Sequence, residues 1–303
     1  MGVKLFKEPQ LVNPVFIAGW PGIGNIGLLA VDTLRNLVQA ENFGEIEPME
    51  FFYPHKVVIH NGEIRNLEFP TSRFYYKQLK ERDLIIFIGE EQPTETGRTY
   101  AEGAKAYRMA NLVLDVAVKF GSRRVYTSGA AVAPIHHSVR PRVWAVPNAK
   151  ELLGEVRNLS NTVLMSDIQE RNGQGTITGL NGLLLGVARK RGLEAICLMG
   201  EIPVYLQGFP FPYPKASKSV LEALRAITGI DVVTNTLDSI IAQSEAEIER
   251  LFASFPPEIK AQIDKLKDIV TTEKTETGPI TEDDKKKILE DIDKMFKQEP
   301  KGE

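Results

Sequence analysis

Three short apolar runs, each closed by a glycine, limit what this chain can fold into. They are Val15-Phe16-Ile17-Ala18 before Gly19, Leu84-Ile85-Ile86-Phe87-Ile88 before Gly89, and Ala195-Ile196-Cys197-Leu198-Met199 before Gly200. Runs with no polar alternation are the signature of strands buried on both faces. Only a sheet covered by helices on each side buries them that way. Helical spacing appears between them. From about Asn25, Ile26, Leu29, Ala30, Leu34, Leu37 and Val38 share a face. A long helix is predicted from about Gly97 to Lys119, with Tyr100, Ala104, Tyr107, Ala110, Val113 and Leu114 inward and Gly121 as its stop. Others are predicted over Leu180–Arg191, capped by Gly192, over Lys218–Thr228 and over Ser239–Phe252. Arg124–Thr127, Trp144–Pro147 and Thr176–Thr178 read as further strands. The alternation predicts an α/β fold: a mostly parallel sheet with helices on both faces. One stretch departs from it. A β-rich segment runs from Met49–Phe52 into Lys56–His60, turns at Asn61-Gly62 and returns through Glu63–Leu67, a hairpin that makes the sheet mixed.

A chain of 303 residues holds one large domain or two smaller ones. The composition changes after Phe255-Pro256-Pro257, which divides an α/β core, 1–255, from a charged helical tail, 256–303. In the tail Ile259, Ile263, Leu266 and Val270 fall on one helical face. Thr281 then starts a helix with Asp and Glu in its first turn, where the dipole favours them. Ile288, Leu289, Ile292, Met295 and Phe296 form a narrow amphipathic stripe that cannot bury itself alone. These five are the candidate partner-binding residues. Packing on the chain's own domain or on a sister subunit is the simpler use of the same stripe.

Charge narrows the function classes. With 37 basic and 40 acidic side chains the net charge is -3, which gives no global attraction to nucleic acid or to an anionic membrane. No apolar stretch approaches the roughly 20 residues of a membrane span. The N-terminal residues lack the apolar core of a secretory signal, so the cytoplasm is the expected compartment. The single cysteine, Cys197, reads as a buried strand thiol. Four histidines and one cysteine leave little for a structural metal site. His136-His137, in a loop, reads as a solvent or interface feature.

Gly22-Ile23-Gly24-Asn25-Ile26-Gly27 has the glycine spacing of a dinucleotide fingerprint, between a strand and a helix. Bare backbone there lets an anion approach a helix N-terminus. Pro21 removes a donor from the turn, however, and no clean second strand ends in the acid that the fingerprint requires. A Walker loop lacks its Gly-Lys-Ser/Thr. The simpler reading is a turn that lets helix and sheet approach closely.

Polar or glycine turns recur at predicted strand ends: Gly19–Gly22, Gly89–Thr94, Thr127–Ala130 and Gly200–Pro203. In parallel sheets such ends share an edge, where ligands bind. Gly22, Gly24, Asn25, Gly27, Glu90, Thr127, Ser128 and Glu201 are therefore the candidate ligand-binding residues, with Glu90 and Glu201 as a possible acid–base pair. The same acids serve equally as helix caps or backbone acceptors. No nucleophile elbow and no Ser/His/Asp or Cys/His order stands out, so no catalytic residue, metal or cofactor is assigned.

Three blocks resemble the proteasome-assembly-chaperone family, over roughly residues 10–250: Phe16–Gly27, Thr178–Gly186 and Ala195–Tyr205. The resemblance implies a nucleoside-phosphorylase-like α/β sheet and a homo-oligomer that binds protein clients such as proteasome α subunits, without known catalysis. Docking members of the family can end in a hydrophobic–Tyr–any tripeptide. This sequence ends Lys301-Gly302-Glu303, so the expectation is either that the stripe Ile288–Phe296 takes its place or that the client is a different one. The competing expectation is an enzyme or sensor that takes a small anionic or nucleotide-like ligand at the strand ends.

Overall fold

A computed structural model describes residues 2–94, 101, 103–167 and 175–269. Within them the nine strands of one mixed sheet run in the order β1-β3-β6-β7-β2-β8-β11-β9-β10. The apolar runs form its centre: β2 (Val15–Gly19), β7 (Leu84–Gly89), β8 (Arg124–Ala133) and β11 (Glu194–Pro203), each parallel to its neighbour. All five residues of β2 are buried, as a two-faced strand requires. On one flank β6 (Ser72–Lys77), β3 (Glu41–Ile46) and β1 (Val3–Leu5) add in antiparallel fashion. On the other, β9 (Val143–Pro147) is antiparallel to β11 and parallel to β10 (Thr162–Leu164).

Alternate residues of each central strand feed two cores. Val15 and Ile17 join Ile86, Tyr126, Ile196 and Leu198 beneath α1 (Ile26–Leu37) and α5 (Pro214–Thr228). Phe16 and Ala18 join Phe87, Val125, Ala195 and Cys197 beneath α2 (Gly103–Lys119) and α4 (Gly179–Lys190). Helices therefore cover both faces, as expected. The inner face of α2 is shifted from the predicted one. Ala106, Met109, Ala110, Val113, Leu114 and Ala117 are buried, whereas Tyr107 is 47% exposed and Ala104 lies at the surface. Tyr100 lies outside the described residues.

Two strand predictions are corrected. Residues 175–178 carry no strand; they lead into α4. Met49–Phe52 is a single helical turn at Pro48–Glu50, started by proline, and a following bend. The hairpin forms at Asn61-Gly62, both at positive φ, but β4 (Lys56–His60) and β5 (Glu63–Glu68) make a separate two-stranded sheet. It does not extend the main one.

After α3 (Leu153–Arg157) and α6 (Asp238–Ser254), the chain continues through α7 (Pro257–Asp264) and α8 (Leu266–Ile269). Ile259, Ile263 and Leu266 are buried in the same core as α1 and α5. The segment after Phe255 is thus continuous with the core as far as Leu266. Val270 and the stripe Ile288, Leu289, Ile292, Met295 and Phe296 lie outside the described residues. No described helix is long and apolar enough to cross a membrane.

Candidate functional site

The glycine loop is built for close approach. Gly24 and Asn25 both adopt left-handed backbone, φ 58° and 47°, which swings the chain from β2 into α1. The Gly24 carbonyl accepts the Tyr213 backbone N–H at 2.8 Å, and a Cβ on Gly24 would meet Ile202 at 3.0 Å. Gly27 lies on the backbone of β8, where Ser128 Oγ donates to the Gly27 carbonyl at 3.2 Å. The strand that follows α1 is β3. It is antiparallel to its neighbours and separated from β2 by β6 and β7. The second parallel strand of a dinucleotide unit is therefore not built.

The first turn of α1 separates two concavities. A cavity of about 100 Å³ opens beside Trp20, Gly22, Gly27, Gln92, Gly129 and Asn181. Gln92 closes its wall by donating to the Pro21 carbonyl at 2.6 Å and accepting the Leu180 N–H at 3.0 Å. The indole N–H of Trp20 is buried there with no acceptor among the described residues. A wider cleft of about 550 Å³ lies on the other side, lined by Asn25, Leu29, Arg35, Arg73, Tyr75 and Glu90. Arg35 bonds Asp32 at 2.8 Å and sits 4.9 Å above the Tyr75 ring. Arg73 has no side-chain hydrogen bond or ion pair among the described residues. Glu90 Oε2 accepts the Thr71 N–H at 2.8 Å, which ties the end of β7 to β6.

Thr127, Ser128 and Glu201 do not meet Glu90, contrary to expectation. β8 and β11 run on to Ala133 and Pro203, so all three lie inside strands. Thr127 and Ser128 alternate between opposite faces of the sheet, and both are fully buried. Glu201 is fully buried as well. It accepts the Arg142 backbone N–H at 2.8 Å, the Arg142 guanidinium at 2.8 Å and the Trp144 indole N–H at 2.8 Å. Its lone pairs are occupied, and β2 and β8 stand between it and the strand of Glu90. The anticipated pair of acids is not formed. Gly22 and Gly27 line the small cavity, Asn25 and Glu90 line the cleft, and Gly24 packs against protein.

The histidine pair is buried, not at the surface: His136 is 2% and His137 is 5% exposed. Their rings stack with centroids 4.0 Å apart. His137 bonds the Tyr205 hydroxyl at 2.7 Å and Glu249 of α6 at 3.1 Å; His136 faces Asp264 of α7 at 3.6 Å. Burial, then the neighbouring His137, pushes the His136 pKa down to about 4; burial also lowers that of His137. Cys197 is buried as expected, and burial raises its thiol to about 11.

Trp20, Gln92, Arg73 and Asn181 were not put forward from the sequence. Trp20 and Gln92 stand within the strand-end turns that pointed to this edge. Arg73 belongs to an antiparallel strand with no apolar run to announce it.

A parallel-centred mixed sheet between two helical layers, with glycine loops that serve close packing at its strand ends, defines the structural class. The chain belongs to the PAC2 family, whose model matches residues 16–252. It is similar to Pyrococcus furiosus PbaB, an archaeal proteasome activator, at 28% identity and TM-score 0.68, covering 82% of this chain and 97% of that one. Pyrococcus furiosus PbaA, an archaeal homolog of proteasome-assembly chaperone, aligns at 21% identity and TM-score 0.61, covering 90% and 100%; this likeness concerns the fold. An uncharacterized protein of Methanocaldococcus jannaschii is 29% identical over 245 residues, covering 80% of this chain and 84% of its own. The resemblance carried by Phe16–Gly27, Thr178–Gly186 and Ala195–Tyr205 is thereby borne out.

Proposed function

We propose that this chain is a cytoplasmic, protein-binding homo-oligomer that engages proteasome α subunits as an assembly chaperone or activator. The observation that carries the reading is the likeness to PbaB over almost the whole of that chain. The stripe Ile288, Leu289, Ile292, Met295 and Phe296 is the segment we assign to the client, because an amphipathic stripe needs a partner to bury it. Native mass spectrometry of the full chain with the host's α subunit tests the proposal. A complex of the two supports it. Separate species at micromolar concentration overturn it.

A second reading places a small anionic ligand at the strand ends, near Gly22, Asn25, Gly27 and Glu90. It is favoured by the cleft, where Arg73 shares the lining with Arg35 and makes no ion pair among the described residues. A panel of nucleotides, nucleosides and phosphate that leaves the melting temperature unchanged removes this reading. A shift that Arg73→Ala abolishes supports it.

A further inference from the structure

We infer that the cleft between α1 and the β6–β7 pair is a binding site for a small zwitterion, an aliphatic amino acid or a short peptide with free ends. Its carboxylate meets Arg73 and its ammonium group meets Glu90. The inference rests on the premise of the second reading above, that the cleft takes a ligand, and departs from it on the ligand's charge. The cleft encloses about 550 Å³, a size usual for small-molecule sites.

Strand register brings the two charges together. Arg73 pairs with Ile88 across β6 and β7. The ladder continues past the end of β7, where the Glu90 N–H donates to the Thr71 carbonyl at 2.8 Å. Thr71, Arg73 and Tyr75 therefore share a face with Ile88 and Glu90, and all five line the cleft. Glu90 is the diagonal neighbour of Arg73, at about 7–8 Å from backbone to backbone, within reach of two long side chains. The two do not pair. Glu90 turns Oε2 onto the Thr71 N–H at 2.8 Å, and Arg73 has no ion pair or side-chain hydrogen bond among the described residues. A cation and an anion thus stand side by side in one cleft, with neither neutralising the other.

The rest of the lining sets the ligand's charge. Its other two charged residues, Asp32 and Arg35, neutralise each other at 2.8 Å. Arg35 and Arg73 against Asp32 and Glu90 leave the cleft with no net charge. A ligand of no net charge that carries both signs complements such a set, whereas a bare anion meets Glu90 as well as Arg73. An α-amino acid carries the two groups on one carbon, and a short peptide carries them at its ends. Leu28, Leu29, Ile88 and Pro212 supply an apolar wall, which selects an aliphatic side chain on the body between the charges.

Calorimetric titration of the full-length chain with leucine, leucyl-leucine, N-acetyl-leucine and leucinamide tests the site. Leucine or leucyl-leucine is expected to bind with a Kd of about 1 mM or below, and the tighter of the two tells an amino-acid site from a peptide site. N-acetyl-leucine lacks the ammonium group and leucinamide lacks the carboxylate, so each is expected to bind about tenfold more weakly than leucine or beyond detection. Arg73→Met and Glu90→Gln are each expected to weaken the tighter zwitterion by about tenfold. Arg73 makes no side-chain bond to lose, and glutamine keeps an oxygen for the Thr71 N–H, so lost binding is not lost structure. Parental affinity in either variant overturns the inference. So does N-acetyl-leucine binding as tightly as leucine, which leaves an anionic ligand standing. Silence from both zwitterions, with a melting shift from phosphate or a nucleotide, likewise overturns the inference alone. Silence from every compound removes both readings of the cleft.

Discussion

The guanidinium of Arg142 reaches the carboxylate of Glu201 at 2.8 Å and 3.1 Å, while the carboxylate itself is fully buried. Removing the cation leaves a buried charge short of a partner, a change that costs about 3–5 kcal/mol when both groups are buried. Arg142 is 41% exposed, so water replaces part of what is lost. Arg142→Ala is expected to destabilise by about 2–3 kcal/mol, and Glu201→Gln by about 1–3 kcal/mol. The double variant is expected to cost less than the sum of the two. Urea unfolding of the four proteins checks this, and strict additivity contradicts the pairing.

Gly27 has no room for a side chain. A Cβ there would meet the Ser128 carbonyl, lying 2.5 Å from its carbon and 2.9 Å from the Gly129 nitrogen, both main chain of a central strand. Neither can move without displacing α1 or β8. Gly27→Ala is expected to destabilise by about 2–4 kcal/mol, in the range of overpacked cores and above. Gly129→Ala meets the Asn181 side-chain amide at 2.9 Å, which is free to turn aside, and should cost less. Thermal unfolding that ranks the two the other way would refute the close-approach role of the loop.

These contacts also explain what was legible in the sequence. Leu84–Gly89 and Val15–Gly19 were readable because a strand buried on both faces needs an unbroken apolar run. β3 and β6 lie on the antiparallel flank and mix charged with aromatic residues, as in Glu41-Asn42-Phe43-Gly44-Glu45-Ile46, so no run marks them. Gly129 and Gly200 looked like the ends of β8 and β11. They are interior residues at which helices press on the sheet: Gly129 faces Asn181 of α4, and Gly200 faces Ala216 of α5 and Ile26 of α1. Taking close-approach glycines for turns moved Thr127, Ser128 and Glu201 to an edge they do not occupy. Which neighbour binds Glu201 depends on β9 pairing antiparallel to β11, a non-local fact that periodicity does not carry.

The stacked pair His136 and His137 couples stability to pH. Both have folded-state pKa values below the ordinary 6.5, with His136 near 4. The unfolded chain takes up protons below about pH 6.5 that the folded chain refuses. Their contribution is therefore complete above pH 6.5 and is lost as pH falls toward 4. The groups facing them are Tyr205, Lys215 of α5, Glu249 of α6, Asp264 of α7 and Lys267 of α8. Acidification from pH 7 to 5 is expected to cost on the order of 2 kcal/mol in the parent and distinctly less in His136→Asn/His137→Asn. Equal losses in the two proteins would show that the acid sensitivity lies elsewhere.

Truncation separates the core from the segment assigned to the client. Because Ile259, Ile263 and Leu266 are buried with Phe255, a chain ending at Phe255 loses part of the core. Each fully buried aliphatic side chain is worth about 1.5–3 kcal/mol, so that truncation is expected to unfold at least 10 °C below the parent or to aggregate. A chain ending at Ile269 keeps all three. It should melt within about 2 °C of the parent, since it retains the described packing, and should lose binding to proteasome α subunits along with Ile288–Phe296. If the chain ending at Ile269 binds α subunits as tightly as the full chain, the stripe is not the docking element. The contact must then be sought on the folded core.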